Sequence, residues 1–336
     1  MRGPVAATDC VLLVNPTSGR GRGAHYGERA ETVLIDAGRT VRAVAGRSAE
    51  EGVELARRAI SQGARALVVV GGDGMVNAAL PLVAGTGTAF GLIPAGTGND
   101  TARILGLPRR DPEAAARIVL DGRTGYFDLG KVQTADGADP RLFATVLACG
   151  LDSKVNERAN RMRRPRGSSR YTLALLAELL PFRAPAFRLD LDGAEPFEQR
   201  CMLIAVGNGP SYGGGMRICP QADPQDGRFQ VTVVGEVRKT TLLRIFPRVF
   251  KGGHVRHPAV AVHTASRIVL SGPAGAESAD PPQAADEVSI WADGEYIGRL
   301  PATLMVAPGA LTAFVPGPPA AEKIGWLSAL STRLRA

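Results

Sequence analysis

Ala66-Leu67-Val68-Val69-Val70-Gly71-Gly72-Asp73-Gly74-Met75-Val76-Asn77 is the stretch on which the fold turns. Its apolar opening, with three valines in a row, reads as a strand buried on both faces. The run stops at glycines and one carboxylate, and Val76, Ala79, Leu80 and Val83 then repeat at helical spacing. A strand that ends in glycines and opens a helix is where an α/β sheet binds ligands, because main-chain N–H groups and the positive helix end face one crevice. Glycines let a polyphosphate approach the backbone closely. Asp73 repels phosphate directly, so a metal ion between the two is the natural reading. Taken alone, the stretch is equally compatible with a tight turn in which Asp73 caps the helix.

Two further stretches repeat the pattern. Cys10–Val14 reads as a buried strand running into Asn15-Pro16-Thr17-Ser18-Gly19-Arg20-Gly21-Arg22-Gly23. Ala89–Ile93 runs into Pro94-Ala95-Gly96-Thr97-Gly98-Asn99-Asp100. Between them fall helical patterns at about 25–37, 49–62 and 111–121, and a strand at Thr40–Ala45. This alternation predicts a parallel sheet with helices on both faces. In such a sheet the three glycine loops emerge at one edge and form a single donor-rich crevice.

Downstream of Tyr126 the pattern changes to short strands. They fall at Phe127–Val132, Leu142–Leu147, Phe187–Leu191, Met202–Val206, Phe229–Val234, Ala259–His263, Arg267–Leu270, Val288–Ala292 and Tyr296–Leu300. Asp-Gly dipeptides at 136, 192, 226 and 293 supply hairpin turns. Leu304–Val315 adds two more strands, helical patterns interrupt at about 169–180 and 238–251, and an amphipathic tail covers 322–334. A mainly antiparallel β domain is expected over 127–311, after an α/β domain over 1–126. Residues 273–287 read as a flexible acidic loop.

Composition narrows the partners. The apolar fraction of 45% supports real cores, and the net charge of +8 favours an anionic partner. Aromatics are only 5% and scattered, which argues against base-stacking surfaces and hence against nucleic acid. Cys10, Cys149, Cys201 and Cys219 stand far apart inside apolar runs, so buried free thiols in a reducing compartment are expected. No secretory segment and no membrane-spanning run is read, which predicts a cytoplasmic protein.

Several motifs test other chemistries. No Walker A loop exists. Gly209-Pro210-Ser211-Tyr212-Gly213 matches a nucleophile elbow, yet Gly213-Gly214-Gly215 follows where a helix should start, so Ser211 is not read as catalytic. Asp293-Gly294-Glu295 reads as a hairpin turn with a solvated Glu, and Asp223 and Asp226 as ordinary turn residues. Arg158, Arg161, Arg163, Arg164, Arg166 and Arg170 form a dense basic run, either a solvated loop or a contact with anionic lipid. Near a membrane each such residue contributes about 1 kcal/mol. The apolar helix face beside it (Tyr171, Leu173, Leu175, Leu176, Leu179, Leu180, Phe182) fits core packing or a lipid groove.

In this order, Asn15-Pro16-Thr17-Ser18-Gly19, Gly71-Gly72-Asp73-Gly74 and Ile93-Pro94-Ala95-Gly96-Thr97-Gly98-Asn99-Asp100 resemble the signatures of the diacylglycerol kinase catalytic family. Gly213-Gly214-Gly215 with Pro220, then Asp226-Gly227, Gly253-His254 and Asp293-Gly294-Glu295, resemble its soluble bacterial lipid-kinase branch. The resemblance spans nearly the whole chain. It implies a nucleotide-binding α/β domain of NAD kinase/diacylglycerol kinase type plus a β-sandwich, with ATP between them and the segment from about 312 to 336 returning to the first domain. It implies transfer of the ATP γ-phosphate, with Mg²⁺, to a lipid hydroxyl, diacylglycerol first.

The resemblance also assigns residues. Asn15, Pro16, Thr17, Ser18, Gly19, Gly71, Gly72, Asp73, Gly74, Met75, Val76, Asn77, Thr97 and Asn99 would hold the nucleotide. Asp73 would organise Mg·ATP, and Glu295 would be the general base. Asp226 would hold a structural Mg²⁺ with main-chain oxygens near Asp223 and Arg228. Met75 and Ala78 stand where the family has Thr and an acid, and Gly46 where a Thr often meets nucleotide. A protein bound peripherally to the inner face of the cell membrane, with the region Arg158–Arg170 against lipid, is the expected setting. A homodimer is compatible with it. A kinase for another lipid or for a soluble acceptor, in the manner of NAD kinases, and an inactive lipid-binding regulator are the rival readings.

Overall fold

The structure, a computed structural model, describes residues 9–137, 139–162, 168–272 and 288–317. The acidic loop at 273–287, the tail at 322–334, and Arg163, Arg164 and Arg166 of the basic run lie outside the described residues.

The first half is the expected alternation: β1 (Cys10–Val14), α1 (Ser18–Asp36), β2 (Val41–Val44), α2 (Ala49–Ser61), β3 (Ala66–Gly71), α3 (Asp73–Val83), β4 (Ala89–Pro94), α4 (Asp100–Ile104) and α5 (Pro112–Asp121). The strands pair in parallel in the order β2-β1-β3-β4. Successive valines and leucines of β1 and β3 point to opposite faces. Leu12, Val68 and Val70 pack with Ala30 and Leu34 of α1 and Ala116 of α5. Val11, Leu13, Leu67 and Val69 pack with Ala56 of α2 and Ala79 of α3. Fully burying one such Val or Leu side chain contributes roughly 1.5–3 kcal/mol, so this sheet is held from both sides. Ser48 caps α2 through the Glu51 N–H, and Asp111 caps α5 through the Ala114 N–H.

The second half comprises β5 (Thr124–Thr134), β6 (Arg141–Phe143), β7 (Val146–Gly150), α6 (Leu151–Arg161), α7 (Ser168–Leu179), β8 (Ala186–Leu191), β9 (Phe197–Gly207), β10 (Phe229–Gly235), α8 (Lys239–Ile245), β11 (Val260–Ala265), β12 (Arg267–Ser271), β13 (Ser289–Ala292), β14 (Glu295–Arg299) and β15 (Ala302–Phe314). These strands form an antiparallel sandwich. Phe143, Phe187, Ile204, Phe229, Ile268 and Ile290 are among the buried residues between its two layers. β9 belongs to both layers, pairing with β8 through its first residues and with β7 and β10 through the rest.

Three elements differ from the sequence reading. The expected strand Leu142–Leu147 is two strands, because the N–H groups of Ala144, Thr145 and Val146 turn onto the Asp293 carboxylate instead of a neighbouring strand. Leu304–Val315, read as two strands, is as far as Phe314 part of the single strand β15, which absorbs Pro308-Gly309 as a register shift between Ala307 and Leu311. The N-terminal part of the basic run is helix α6, which buries Leu151, Val155 and Ala159 at spacing four; the Arg residues dominate the composition and mask that repeat.

β5 and β15 pair along their whole length, from Thr124↔Phe314 to Thr134↔Ala302. One end of β15 joins the α/β sheet at Ala313↔Phe90, and the other joins the sandwich through β12. This ribbon fixes the two halves against each other and faces the sandwich hairpins toward the glycine loops.

Candidate active site

The three glycine loops meet. A Cβ on Gly19 would lie 1.9 Å from the Ala95 carbonyl oxygen, and one on Gly96 would lie 2.5 Å from the Gly72 Cα. Such contacts leave room for main chain alone. In the first loop Asn15 Oδ1 accepts the Thr17 N–H and hydroxyl, and Gly19, Arg20 and Gly21 all take positive φ, so the regular part of α1 begins after them. Pro16 and Thr17 are exposed. In the third loop Thr97 is exposed, while Asn99 is buried at φ +54 and donates to the Gly96 carbonyl. Asn77 Oδ1 and Asn99 Oδ1 are buried without partners, two amide oxygens left open beside the loops. Met75 and Val76 turn their side chains into the core, so only their main chain is available to a ligand.

Gly46, where nucleotide contact through a side chain is expected, is tightly enclosed: a Cβ there would stand 2.3 Å from the Gly52 N–H nitrogen. The start of α2 occupies that space, which accounts for the absent side chain.

The acidic centre is larger than the sequence reading. Asp73 Oδ1 accepts the Thr101 N–H at 3.1 Å. Asp73 Oδ2 and Asp100 Oδ2 both flank Gly98, at 2.8 and 3.5 Å from its Cβ position. Asp100, a residue the sequence reading leaves without a role, is buried and accepts the Gly214 N–H at 2.6 Å and the Ser211 hydroxyl at 3.4 Å. Burial raises its carboxyl above the usual range, the Gly214 N–H opposes that, and the Asp73 charge adds to it. Arg103 donates to the Gly98 and Gly214 carbonyls, so the loop Gly213–Gly215 of the sandwich is latched to the nucleotide side. Ser211 is therefore a structural donor to Asp100, in agreement with its exclusion as a nucleophile.

Glu295 opens β14 across the cleft, and its Oε1 lies 3.2 Å from the Cβ position of Gly74. Asp293 and Gly294 form the two-residue turn before it, at φ +51 and +83. The Asp293 carboxylate anchors this hairpin to the β6–β7 break through Ala144 N (2.7 Å), Thr145 N (2.9 Å), Thr145 Oγ1 (2.5 Å) and Val146 N (3.2 Å). Burial pushes its carboxyl up to about 6 against those hydrogen bonds, and nearby Asp73 adds to the rise.

The loop at 223–228 lies on a different wall. Asp223 and Asp226 are exposed, and each uses one oxygen on a main-chain N–H two residues on, Gln225 and Arg228. Beneath it, buried Asp128 of β5 accepts the N–H groups of Gly227 and Gly309, tying the loop to the ribbon. Asp128 carries no legible signal in sequence, since it stands in an ordinary strand pattern. Among the described residues, no group of three or more His, Cys, Asp or Glu side chains could hold a metal by itself. A carboxylate that leaves positions for phosphate oxygens and water is nevertheless a donor that Mg²⁺ takes in phosphoryl-transfer sites, and Asp73 fits that role, whereas Asp100 is already met by Arg103 at 3.3 Å, Ser211 and Gly214 and stands behind it.

The diacylglycerol kinase catalytic domain model matches residues 9–132, and the YegS C-terminal NAD kinase β-sandwich-like domain model matches 145–315. A diacylglycerol kinase of Mycobacterium tuberculosis is 42% identical over 304 residues, covering 90% of this chain and 94% of that protein. The chain belongs to the diacylglycerol kinase family. It is a lipid kinase, and the family implies ATP as phosphoryl donor. A diacylglycerol kinase of Staphylococcus aureus is 26% identical over 308 residues, 91% of each chain. The fold of this lipid kinase matches a diacylglycerol kinase crystal structure from Bacillus anthracis, with TM-score 0.68, 18% identity and coverage of 93% and 98% of the two chains. Yeast NADH kinase shares the fold more distantly, at TM-score 0.52 and 10% identity over 99% of this chain and 88% of that one. No helix among the described residues is long and apolar enough to cross a membrane. All four cysteines are free and buried, as expected.

Proposed function

We propose that this lipid kinase transfers the γ-phosphate of ATP to the free hydroxyl of diacylglycerol, with Glu295 as general base. The observation that carries this reading is Glu295 Oε1 standing over Gly74, across the cleft from the glycine loops. An alcohol attacks phosphorus poorly unless its proton leaves during attack, and a carboxylate at the cleft can accept it. Phosphoryl transfer otherwise needs positioning and charge neutralisation. The main-chain N–H groups of the loops at 15–19 and 71–77, with Asn77, Thr97 and Asn99, supply positioning for the triphosphate. Asp73, supported by Asp100, would hold Mg²⁺, which when bound would neutralise phosphate charge. Asp226, with main-chain oxygens near Asp223 and Arg228, would hold a second, structural Mg²⁺. The Asp128 hydrogen bonds beneath that loop support its rigidity.

The enzyme would work at the inner face of the cell membrane. The exposed Leu173, Leu176 and Leu180 on and just past α7, with Arg158 and Arg161 on α6, support a lipid-facing surface. Purified protein, Mg²⁺ and labelled ATP are to be incubated with vesicles of diacylglycerol, sphingoid base or phosphatidylglycerol. Label in diacylglycerol above the other two is the expected result, and label confined to another acceptor overturns the assignment.

A further inference from the structure

No Asp or Glu stands between Glu236 and Glu277, yet Arg238, Lys239, Arg244, Arg248, Lys251 and Arg256 all fall there. In the structure α8 runs directly into a 3₁₀ helix, Phe246–Lys251. Ile245 and Val249 are buried and Leu242 and Phe246 half-buried, so they form the inner side of this ridge. Leu243, Arg244, Pro247, Arg248, Phe250 and Lys251 are exposed. Residues four apart share a face of an α-helix, and residues three apart share a face of a 3₁₀ helix. Leu243, Pro247 and Phe250 therefore make one apolar stripe, and Arg244, Arg248 and Lys251 make a basic stripe beside it. Leu243 is 42% and Phe250 54% exposed. Among the described residues, Arg244, Arg248 and Lys251 form no ion pair with a carboxylate.

The ridge is braced from beneath. Val249 packs with Val146, Ile218 and Cys219, and Phe246 packs against the same cluster, as do Tyr212 and Met216. The Val249 carbonyl accepts the Arg217 N–H at 3.0 Å. Phe250 meets Phe246 edge to face, with ring centroids 6.0 Å apart, so the outward ring is steadied by an inward one. Most of these partners belong to the segment that carries Gly213–Gly215, whose Gly214 N–H holds Asp100 at the cleft. At its other end the ridge joins α7: Lys239 donates to the carbonyl of Leu180, the exposed residue just past that helix.

We propose that the α8 ridge is a surface on which this lipid kinase docks to an anionic bilayer. Leu243, Pro247 and Phe250 enter the interface, and Arg244, Arg248 and Lys251 meet lipid phosphates. Large apolar side chains held in water beside unpaired cations suit a partner that offers acyl chains and negative charge together. Arginine forks match phosphate oxygens and add charge to each hydrogen bond. A bilayer is favoured over an acidic protein because the acceptor of a lipid kinase resides in a membrane, and the ridge is braced on the segment that reaches the cleft. Docking there brings the Gly213–Gly215 loop close to the bilayer that supplies the acceptor. The inference rests on the membrane-facing reading above, and its binding test needs no turnover.

The full chain is floated, without nucleotide, on vesicles of phosphatidylcholine or of equal parts phosphatidylcholine and phosphatidylglycerol. Wild type should bind the anionic vesicles about tenfold or more tightly than the neutral ones. Arg244→Gln with Arg248→Gln should weaken anionic binding about tenfold to thirtyfold, whereas Arg57→Gln with Arg58→Gln on α2, which removes the same charge, should weaken it less than about threefold. Arg244→Lys with Arg248→Lys keeps the charge and should bind as wild type. Phe250→Ser removes apolar contact and should weaken binding to both vesicle types, with circular dichroism unchanged in each variant. Equal binding by the two Gln pairs, a Lys pair as weak as the Gln pair at 244 and 248, or equal binding of wild type to both vesicles overturns the surface. A dimer that Phe250→Ser dissociates, with no vesicle binding, gives the face to a second copy and overturns it as well. Turnover on monomeric dioctanoylglycerol needs no bilayer and should be unchanged in every variant; its loss in the Gln pair at 244 and 248 overturns the docking role. Absence of that turnover in wild type counts against the diacylglycerol reading alone.

Discussion

Gly19→Ala and Gly21→Ala, compared as a pair, separate backbone strain from the closeness of the glycine loops. Both positions take the left-handed conformation, at φ +59 and +88. A non-glycine residue there costs roughly 1–2 kcal/mol. Gly21 has nothing within 4 Å of its Cβ position, so that backbone cost is all Gly21→Ala should show. At Gly19 the added Cβ lies 1.9 Å from the Ala95 carbonyl oxygen, against a minimum of 3.0 Å for real Cβ contacts, so the loops must part by about 1.1 Å. Overpacking of this kind adds about 1–3 kcal/mol. Gly19→Ala should therefore lose about 2–5 kcal/mol, and its larger effect should fall on ATP, whose triphosphate spans both loops in the proposed site. Urea unfolding gives the stabilities, and initial rates at varied ATP give KM and kcat. The expectation is a KM for ATP raised tenfold or more in Gly19→Ala and less than threefold in Gly21→Ala, following about 1.4 kcal/mol per decade. Equal KM values in the two variants would refute the view that the Gly19–Ala95 contact shapes the nucleotide crevice.

Three further outcomes follow from the same structure. Glu295→Gln keeps the side-chain size and removes the base, so ATP binding by calorimetry should persist while kcat falls about 10²–10⁴-fold; near-normal turnover would remove Glu295 from the chemistry. Asp152 accepts from Tyr212 and Asn156, and burial pushes its carboxyl up from 3.8 to about 6. A carboxyl raised in the folded state stabilises fully below pH 3.8 and loses that contribution as pH rises through about 6, by at most ~3 kcal/mol. Asp152→Asn should flatten that part of the urea-midpoint profile, and an unchanged slope would contradict the assignment. Asn208 is buried and donates to the carbonyls of both Asp128 and Ala144. Asn208→Ala leaves both unsatisfied and should cost about 2–5 kcal/mol, read from the same denaturation curves.

The parallel sheet and the glycine crevice were legible because they depend on local pattern. Leu12, Val68 and Ile93 mark strands buried on both faces, and the Gly-rich turns that follow must share one edge of a parallel sheet. α6 was not legible, because its apolar positions Leu151, Val155 and Ala159 are few among charged residues and gain their energy from packing on Met202 and Val260. The split at Ala144–Thr145 escaped for a related reason: its cause, Asp293, lies about 150 residues away. No propensity scale registers a carboxylate that distant.

For the site itself, the amino-acid sequence determined which groups are available: glycines that expose main-chain N–H groups, Asp73 beside them, and a Glu after an Asp-Gly turn. Tertiary structure alone decided which carboxylates come together. Asp100 joins Asp73 because Gly214, from the other half of the chain, donates to it; Glu295 faces Gly74 because the β5–β15 ribbon and the Asp293 anchor hold its hairpin there. Chemical identity is a local property of each residue, whereas the distance between two carboxylates is set by every packing contact between them.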